Sequence, residues 1–316
     1  MRVLATGITG FAGHHLAPLL LDAGHEVLAI LRTDVDETPP PGVDGTPVEI
    51  TDPDRVRAFV RKVAPDGVVH LAGMSSVGES FGAPVETWKV NLWGTLAVLE
   101  ALRCEAPTAR GIAVTSGEIY GSVPLDELPV TPDTPLKPLS PYGASKAAAD
   151  LCVAQYRAGF GLPIMRVRAF NHIGPGQDAR FVVPSVAQQI ARAEASGQSE
   201  IEIHVGNVDT RRDFTDVRDM MRAYVALLER GDPDTAYVAC SGRSRSIREL
   251  IEGLAAQAHV PTRIVVDEGR RREGEQPDLY GDATLLREHT GWAPEIPIEQ
   301  TLGDTLDYWR EREATT

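Results

Sequence analysis

Cysteine is scarce: the chain of 316 residues has only Cys104, Cys152 and Cys240. They are odd in number and far apart, which excludes a disulfide framework and metal-ligand spacing. They read as buried or neutral thiols in a reducing compartment. Long apolar runs are also missing. None is long enough to span a bilayer, and Arg32 and Asp34 close the apolar strand at 26–31. Met1-Arg2-Val3-Leu4 leads straight into a strand, without the charged, apolar and cleavage regions of a signal peptide. A cytoplasmic protein with no membrane partner is the expectation. Positive charge is in deficit, with 31 basic against 45 acidic residues and a formal net charge of −14. That balance argues against a nucleic-acid partner or an acidic membrane surface. An anionic small-molecule substrate therefore needs a local basic pocket. The arginines gather after residue 205, at Arg211, Arg212, Arg218, Arg243, Arg245, Arg248, Arg263, Arg270, Arg271 and Arg272.

Hydrophobic residues make up 42% of the chain, enough for a sizeable core. The length predicts one large α/β unit or two lobes. Short apolar strands are expected over 3–6, 26–31, 67–71, 112–115 and 164–169. Helical periodicity covers 11–23, 53–63, 88–103 and 141–158. Residues 33–47, rich in Pro, Asp and Gly, read as a surface loop. Strands alternating with helices predict a doubly wound parallel sheet with right-handed crossovers. No internal repeat is visible. From about residue 171 the regularity loosens, and 171–184, 204–213 and 267–282 read as polar loops. The expected organisation is a dinucleotide domain of 1–170 with 214–240. A smaller C-terminal substrate-binding lobe, 171–213 with 241–316, sits at the C-terminal sheet edge, where open α/β sheets hold ligands.

The first strand is followed by Gly7-Ile8-Thr9-Gly10-Phe11-Ala12-Gly13, which opens the first helix. Gly7 permits a tight turn, Gly10 lets the backbone approach a pyrophosphate, and Gly13 lets the helix pack close to the strand. The helix N-terminus then offers free N–H groups and a positive dipole end to the phosphates. The second strand ends in Leu31-Arg32 rather than an acidic residue that would bind ribose hydroxyls. Arg32 suits a 2′-phosphate, which favours NADP(H), with NAD(H) as the alternative. Glu49 and Ile50, after a third strand pattern, are candidates to bracket the adenine. Leu71, Ala72 and Gly73 end another strand with small residues that allow close approach.

Tyr142 and Lys146 stand four apart on a helix that opens at Ser140-Pro141, so both face one way. A tyrosine titrates near about 10. A neighbouring lysine ammonium is expected to lower that value, letting Tyr142 exchange a proton with a carbonyl or hydroxyl oxygen. Ser116, at a strand end, can donate to the same oxygen, and Lys146 can also hold the nicotinamide ribose.

These segments resemble the extended short-chain dehydrogenases/reductases acting on nucleotide sugars, over nearly the whole chain. The markers are TGITGFAG (6–13), HLAG (70–73), Asn91 in NLWGT, TSGEIYG (115–121), SPYGASK (140–146) and RAFNHIGPGQ (168–177). FVVP (181–184), GNVDTRRDFTDV (206–217) and REGEQPDLYGD (272–282) narrow the likeness to GDP-4-keto-6-deoxy-D-mannose reductases, with the GDP-mannose 4,6-dehydratases similar over the same segments. The resemblance implies a Rossmann-type fold, a Ser116–Tyr142–Lys146 triad and a homodimer through the helices at 88–103 and 141–158. For the cofactor it implies Thr9, Phe11, Ala12, Thr115, Ala169 and His172 beside the glycines. For a GDP-sugar it implies Asn171, Val182, Arg212, Arg272 and Glu275. Ser75 and Ser76 are candidates for sugar hydroxyls, with turn capping as the alternative. For Arg211 and Arg212 the alternative is a salt bridge to Asp213 or Asp216.

Glu118 is ambiguous. A 4,6-dehydratase needs a carboxylate there to take the C5 proton, whereas in a reductase it positions the hexose. Gly117 departs from the hydroxyl residue of the dehydratases. Three activities follow: reduction of a 4-keto sugar, a dehydratase or 4-epimerase cycle returning its hydride, and a non-enzymatic NADP(H) sensor. The intact Ser–Tyr–Lys set argues against the last.

Overall fold

The structure, a computed structural model, describes residues 1–267 and 276–315. In chain order its first half comprises β1 (Arg2–Thr6), α1 (Phe11–Asp22), β2 (Glu26–Leu31), β3 (Asp44–Pro47), α2 (Pro53–Val63), β4 (Gly67–His70), α3 (Val77–Gly82), α4 (Pro84–Trp88), α5 (Gly94–Glu105), β5 (Arg110–Val114), α6 (Pro141–Phe160) and β6 (Ile164–Ala169). Then follow β7 (Asn171–Ile173), α7 (Val182–Ala195), β8 (Ile201–Val205), β9 (Arg211–Asp216), α8 (Val217–Arg230), β10 (Ala236–Ala239), β11 (Ser244–Ser246), α9 (Ile247–Ala255), β12 (Thr262–Val266), β13 (Asp278–Leu279), α10 (Thr284–Thr290) and α11 (Ile298–Ala314).

Seven strands form one sheet in the order β10-β6-β5-β4-β1-β2-β3, parallel throughout. The short apolar runs are buried on both faces, as a parallel sheet covered by helices requires. One core layer joins the sheet to α1 and α8 through Leu16, Leu20, Met220 and Tyr224. The other joins it to α2, α5 and α6 through Phe59, Val98, Leu102 and Val153. Strand order reverses between β1 and β4, so the crevice at their C-terminal ends is the topological switch point.

A separate apolar cluster packs α7, α9 and α11 on the parallel pair β8–β12, through Ile190, Ile203, Leu250 and Leu306. Between this unit and the main sheet, β9 pairs with β7, β11 and β13. All four expected loops therefore contain regular structure, 267–282 through β13. Residues 33–47 carry β3, an edge strand whose Gly45 and Pro47 hide its register on β2. Residues 171–184 carry β7 and the start of α7, and 204–213 carry the end of β8 and the start of β9. These strands are short and polar, and those after β3 pair with partners distant in sequence, so local periodicity cannot reveal them. The single helix expected over 88–103 is also interrupted. A π-turn over Lys89–Trp93 separates α4 from α5.

Candidate functional site

The glycine turn joins β1 to α1 at the switch point. Gly7 has φ +70°, and a Cβ there would sit 2.8 Å from the Ala72 nitrogen, so a side chain is excluded both by conformation and by β4. A Cβ at Gly13 would lie 2.3 Å from the Ile8 carbonyl oxygen, so the helix packs on the turn without room for a methyl group. At Gly10 only the Gly7 carbonyl is near, at 3.3 Å, leaving the backbone open to the crevice. The helix that starts there has no side-chain cap and no acidic residue in its first turn. Bare N–H groups at a positive dipole end, framed by glycines, fit the pyrophosphate of a dinucleotide.

Around the crevice the remaining cofactor candidates are distributed unevenly. Leu71 and Ala72 are partly buried and Gly73 is exposed at the end of β4. Ala169 is buried where β6 ends. The His172 ring stacks on Phe11, with centroids 6.0 Å apart and planes at 7°. Burial holds the His172 imidazole below its ordinary range, with the Phe170 carbonyl opposing and His15 assisting. Thr115 turns inward, donating to Asp150 and to the Val167 carbonyl, each at 3.3 Å. At the adenosine end, Arg32 is forked onto Asp34. Glu49 accepts from Thr51 N–H and Oγ at 3.0 and 2.7 Å and from Thr33 Oγ at 3.3 Å. Its carboxylate is thus engaged locally, and Ile50 packs beneath it against Gly94.

Helix α6 begins as its sequence dictates. Ser140 Oγ accepts from Gly143 N–H at 3.0 Å and Pro141 takes the first turn. Tyr142 and Lys146 both face inward and are 8% exposed. Lys146 Nζ donates to the Val114 carbonyl at 3.0 Å, at the end of the strand that leads to Ser116. Burial pushes its ammonium down to about 8. Tyr142 departs from expectation. Burial pushes its phenol up to about 12, the Glu118 charge adds to that, and the hydrogen bond with Ser116 only partly opposes it. Desolvation disfavours the phenolate more than the local groups favour it. Tyr142 therefore keeps its phenolic proton.

Ser116 also caps the short turn of Gly117–Ile119, accepting from Glu118 N–H at 3.1 Å. Glu118 lies 4.0 Å from Arg212 of β9, so both sheets meet at the site. Arg212 also donates to the Arg211 and Gln276 carbonyls at 2.8 Å each. Arg211 points elsewhere, to Ser244, Glu249 and Asp278. Neither arginine has an ion pair to Asp213 or Asp216. Asp213 instead accepts from Ser241 and Gly242, and Asp216 from Arg218 and Thr301. Asn171 lies in β7 opposite Phe214, and Val182 opens α7 against the second core. Ser76 caps α3 through Glu79 N–H, and Ser75 is exposed beside it. Arg272 and Glu275 lie outside the described residues. Among the described residues, no three His, Cys, Asp or Glu side chains converge as metal ligands.

His70 and Asn91 stood out in the sequence only as motif markers, yet they join the glycine turn to α6. Asn91 sits in the π-turn, fully buried. Its Oδ1 accepts from Met74 N–H at 2.8 Å, and its Nδ2 donates to Ser145 Oγ at 2.9 Å, which donates to the Tyr142 carbonyl. Thr95 Oγ donates to the Asn91 carbonyl at 2.7 Å and so must accept from His70 Nε2–H at 3.0 Å. His70 Nδ1 is then the acceptor for Thr6 Oγ at 2.7 Å, while Thr6 accepts from Ala72 N–H at 3.1 Å. Every proton in this run has one place. A protonated His70 would present a donor to a Thr6 hydroxyl whose proton already points at it. Burial, with the Lys146 charge second, pushes His70 down to about 3.

A parallel sheet with a glycine turn at its switch point and a buried Ser–Tyr–Lys cluster defines a short-chain dehydrogenase/reductase of the extended type. The chain belongs to the GDP-mannose 4,6 dehydratase family, whose model matches residues 4–305. It is 39% identical to the GDP-6-deoxy-D-mannose reductase of Pseudomonas aeruginosa, over 98% of each chain. It is 30% identical to GDP-mannose 4,6 dehydratase 1 of Arabidopsis thaliana, over 96% of this chain and 88% of that one. The solved structure of RMD from Pseudomonas aeruginosa complexed with NADPH superposes with a TM-score of 0.83 at 37% identity, covering 99% of this chain and all of that one.

The neutral His70 has a consequence for acid stability. Between pH 6.5 and about 3 the unfolded chain binds a proton at this position that the folded chain refuses. Its contribution is present above pH 6.5 and is lost as pH falls, at up to about 1.4 kcal/mol per pH unit. Urea unfolding between pH 7 and 4.5 should show a shallower decline for His70→Asn than for the wild-type chain. Equal slopes would remove His70 as the source.

Proposed function

We propose that the chain reduces the 4-keto group of GDP-4-keto-6-deoxy-D-mannose with NADPH, giving GDP-6-deoxy-D-mannose (GDP-D-rhamnose). The 39% identity to a GDP-6-deoxy-D-mannose reductase along nearly the whole of both chains carries this reading. NAD(H) is the second cofactor expected at the same cradle. The division of labour follows the sequence reading, with 1–170 and 214–240 for the dinucleotide and 171–213 and 241–316 for the nucleotide sugar.

A nicotinamide dinucleotide held by the Gly7–Gly13 turn would supply the hydride that C4 receives. Tyr142 then supplies the proton that O4 requires, and its protonated state suits that direction. Ser116, near the Tyr142 phenol, donates to the same oxygen and fixes its position. Lys146, anchored on the Val114 carbonyl, brings the positive charge that eases loss of the phenolic proton. Glu118 orients the hexose through its hydroxyls, and Arg212 beside it takes the diphosphate, together with Asn171. Arg272 and Glu275, carried by the family resemblance alone, take the GDP end. The three unpaired cysteines suit a cytoplasmic setting.

The test combines GDP-mannose, a separate GDP-mannose 4,6-dehydratase and NADPH, and follows nicotinamide absorbance and the sugar formed. NADPH should be consumed, one per sugar, only when the dehydratase is present. Interconversion of the sugar with no net oxidation of NADPH would point to the dehydratase or epimerase cycle instead. Tyr142→Phe should lower kcat by about 10²- to 10⁴-fold, and unchanged turnover would refute the proton donor.

We also propose a homodimer through the α4–α6 face. Val85, Trp93 and Leu151 are 79%, 52% and 60% exposed there, and apolar side chains of that size gain from cover. Sedimentation equilibrium should return twice the chain mass; a monomer throughout would exclude it.

A further inference from the structure

Strand β2 ends at Leu31, and the chain then turns outward. Arg32 stands at the rim of the crevice with 62% of its side chain exposed. Its guanidinium is nonetheless occupied. Nε donates to Asp34 Oδ1 at 3.0 Å and Nη2 to Asp34 Oδ2 at 2.6 Å, a two-point fork. The Arg32 backbone N–H donates to Glu37 at 3.1 Å, and Thr33 Oγ donates to Glu49 at 3.3 Å. Three carboxylates therefore converge on the segment that would meet the 2′ position of an adenosine ribose. The guanidinium holds the Asp34 carboxyl below the usual carboxylate range, so this acid stays ionised at working pH.

We infer that Asp34 is a specificity-determining residue, which competes with a 2′-phosphate for Arg32 and so holds down the preference for NADP(H) over NAD(H). The inference rests on the reading that Arg32 receives the 2′-phosphate. A guanidinium fork that matches a carboxylate also matches a phosphate, and the phosphate carries more charge. The phosphate can therefore take Arg32, but only by displacing Asp34. A dinucleotide with a free 2′-hydroxyl leaves the pair in place. Because the pair is exposed, its strength is modest, and Asp34 tunes the choice of cofactor instead of blocking one.

The test is calorimetric titration of the whole protein with NADP⁺ and with NAD⁺, for the wild-type chain, Asp34→Asn, Arg32→Ala and the double variant. The readout is the ratio of the NAD⁺ Kd to the NADP⁺ Kd. Asp34→Asn should raise that ratio about two- to fivefold, the range an exposed ion pair can supply. Arg32→Ala should lower it about tenfold, because a charge-assisted fork to phosphate is lost. In the Arg32→Ala background, Asp34→Asn should leave the ratio where it was. If Arg32→Ala lowers the ratio but Asp34→Asn does not raise it, the role of Asp34 is overturned while the cofactor reading stands. If Asp34→Asn gives the same gain without Arg32, the carboxylate acts on the phosphate directly and competition for Arg32 is overturned. If Arg32→Ala leaves the ratio unchanged, the 2′-phosphate is not held by Arg32, and both fail.

Discussion

The candidate site depends on how α6 is seated. A phenol and an ammonium that would ordinarily face water are pressed, on one helical face, against the ends of β4 and β5. Desolvation then dominates both. It pushes Tyr142 up to about 12 and Lys146 down to about 8, so the helix presents a neutral acid beside a weakly held cation. Such a pair is costly to bury. The Val114 carbonyl offsets the cost for Lys146, and Tyr142 lowers it by staying neutral.

The helix is fixed from both sides. One turn beyond Lys146, Asp150 is fully buried and accepts from Arg168 at 2.9 and 3.0 Å, with Arg166 at 3.4 Å. Arg168 in turn donates to Tyr120 Oη and to the Pro132 carbonyl, binding the segment after Ser116 to the same anchor. On the other side, Ser145 and Asn91 lead through Thr95, His70 and Thr6 to the Ala72 N–H, which lies against Gly7. The glycine turn and the start of α6 are thereby parts of one hydrogen-bonded frame. Losing one partner from a buried pair leaves a charge unpaired, which is the expensive way to break such a frame.

The parallel sheet, the glycine turn, the capped start of α6 and the inward pair Tyr142–Lys146 were legible in the sequence because each is local. Apolar runs, a Gly spacing and an i, i+4 pair are written within a dozen residues. What was not legible is non-local. The triple pairing of Arg211–Asp216 depends on partners far along the chain, and the edge strand Asp44–Pro47 lacks the apolar alternation that would mark it. The π-turn leaves no compositional mark, although it aims Asn91 at Met74 and Ser145. Arg32 was read as open to a phosphate, but its guanidinium is held by an acid only two residues away. That pair was within reach of the sequence, and Asp34 was read only as the end of a strand. The lowered phenol expected from Lys146 failed for a reason that no spacing encodes, the depth to which α6 is sunk.

Titration of Tyr142 itself tests this most directly. With ¹³Cζ-tyrosine incorporated and the signal assigned by Tyr142→Phe, NMR of the cofactor-free protein follows the phenol with pH. Tyr142 should remain protonated through the neutral range and beyond the value of about 10 for free tyrosine. Ionisation near neutral pH would contradict the account, since the proton that ketone reduction needs would already have left.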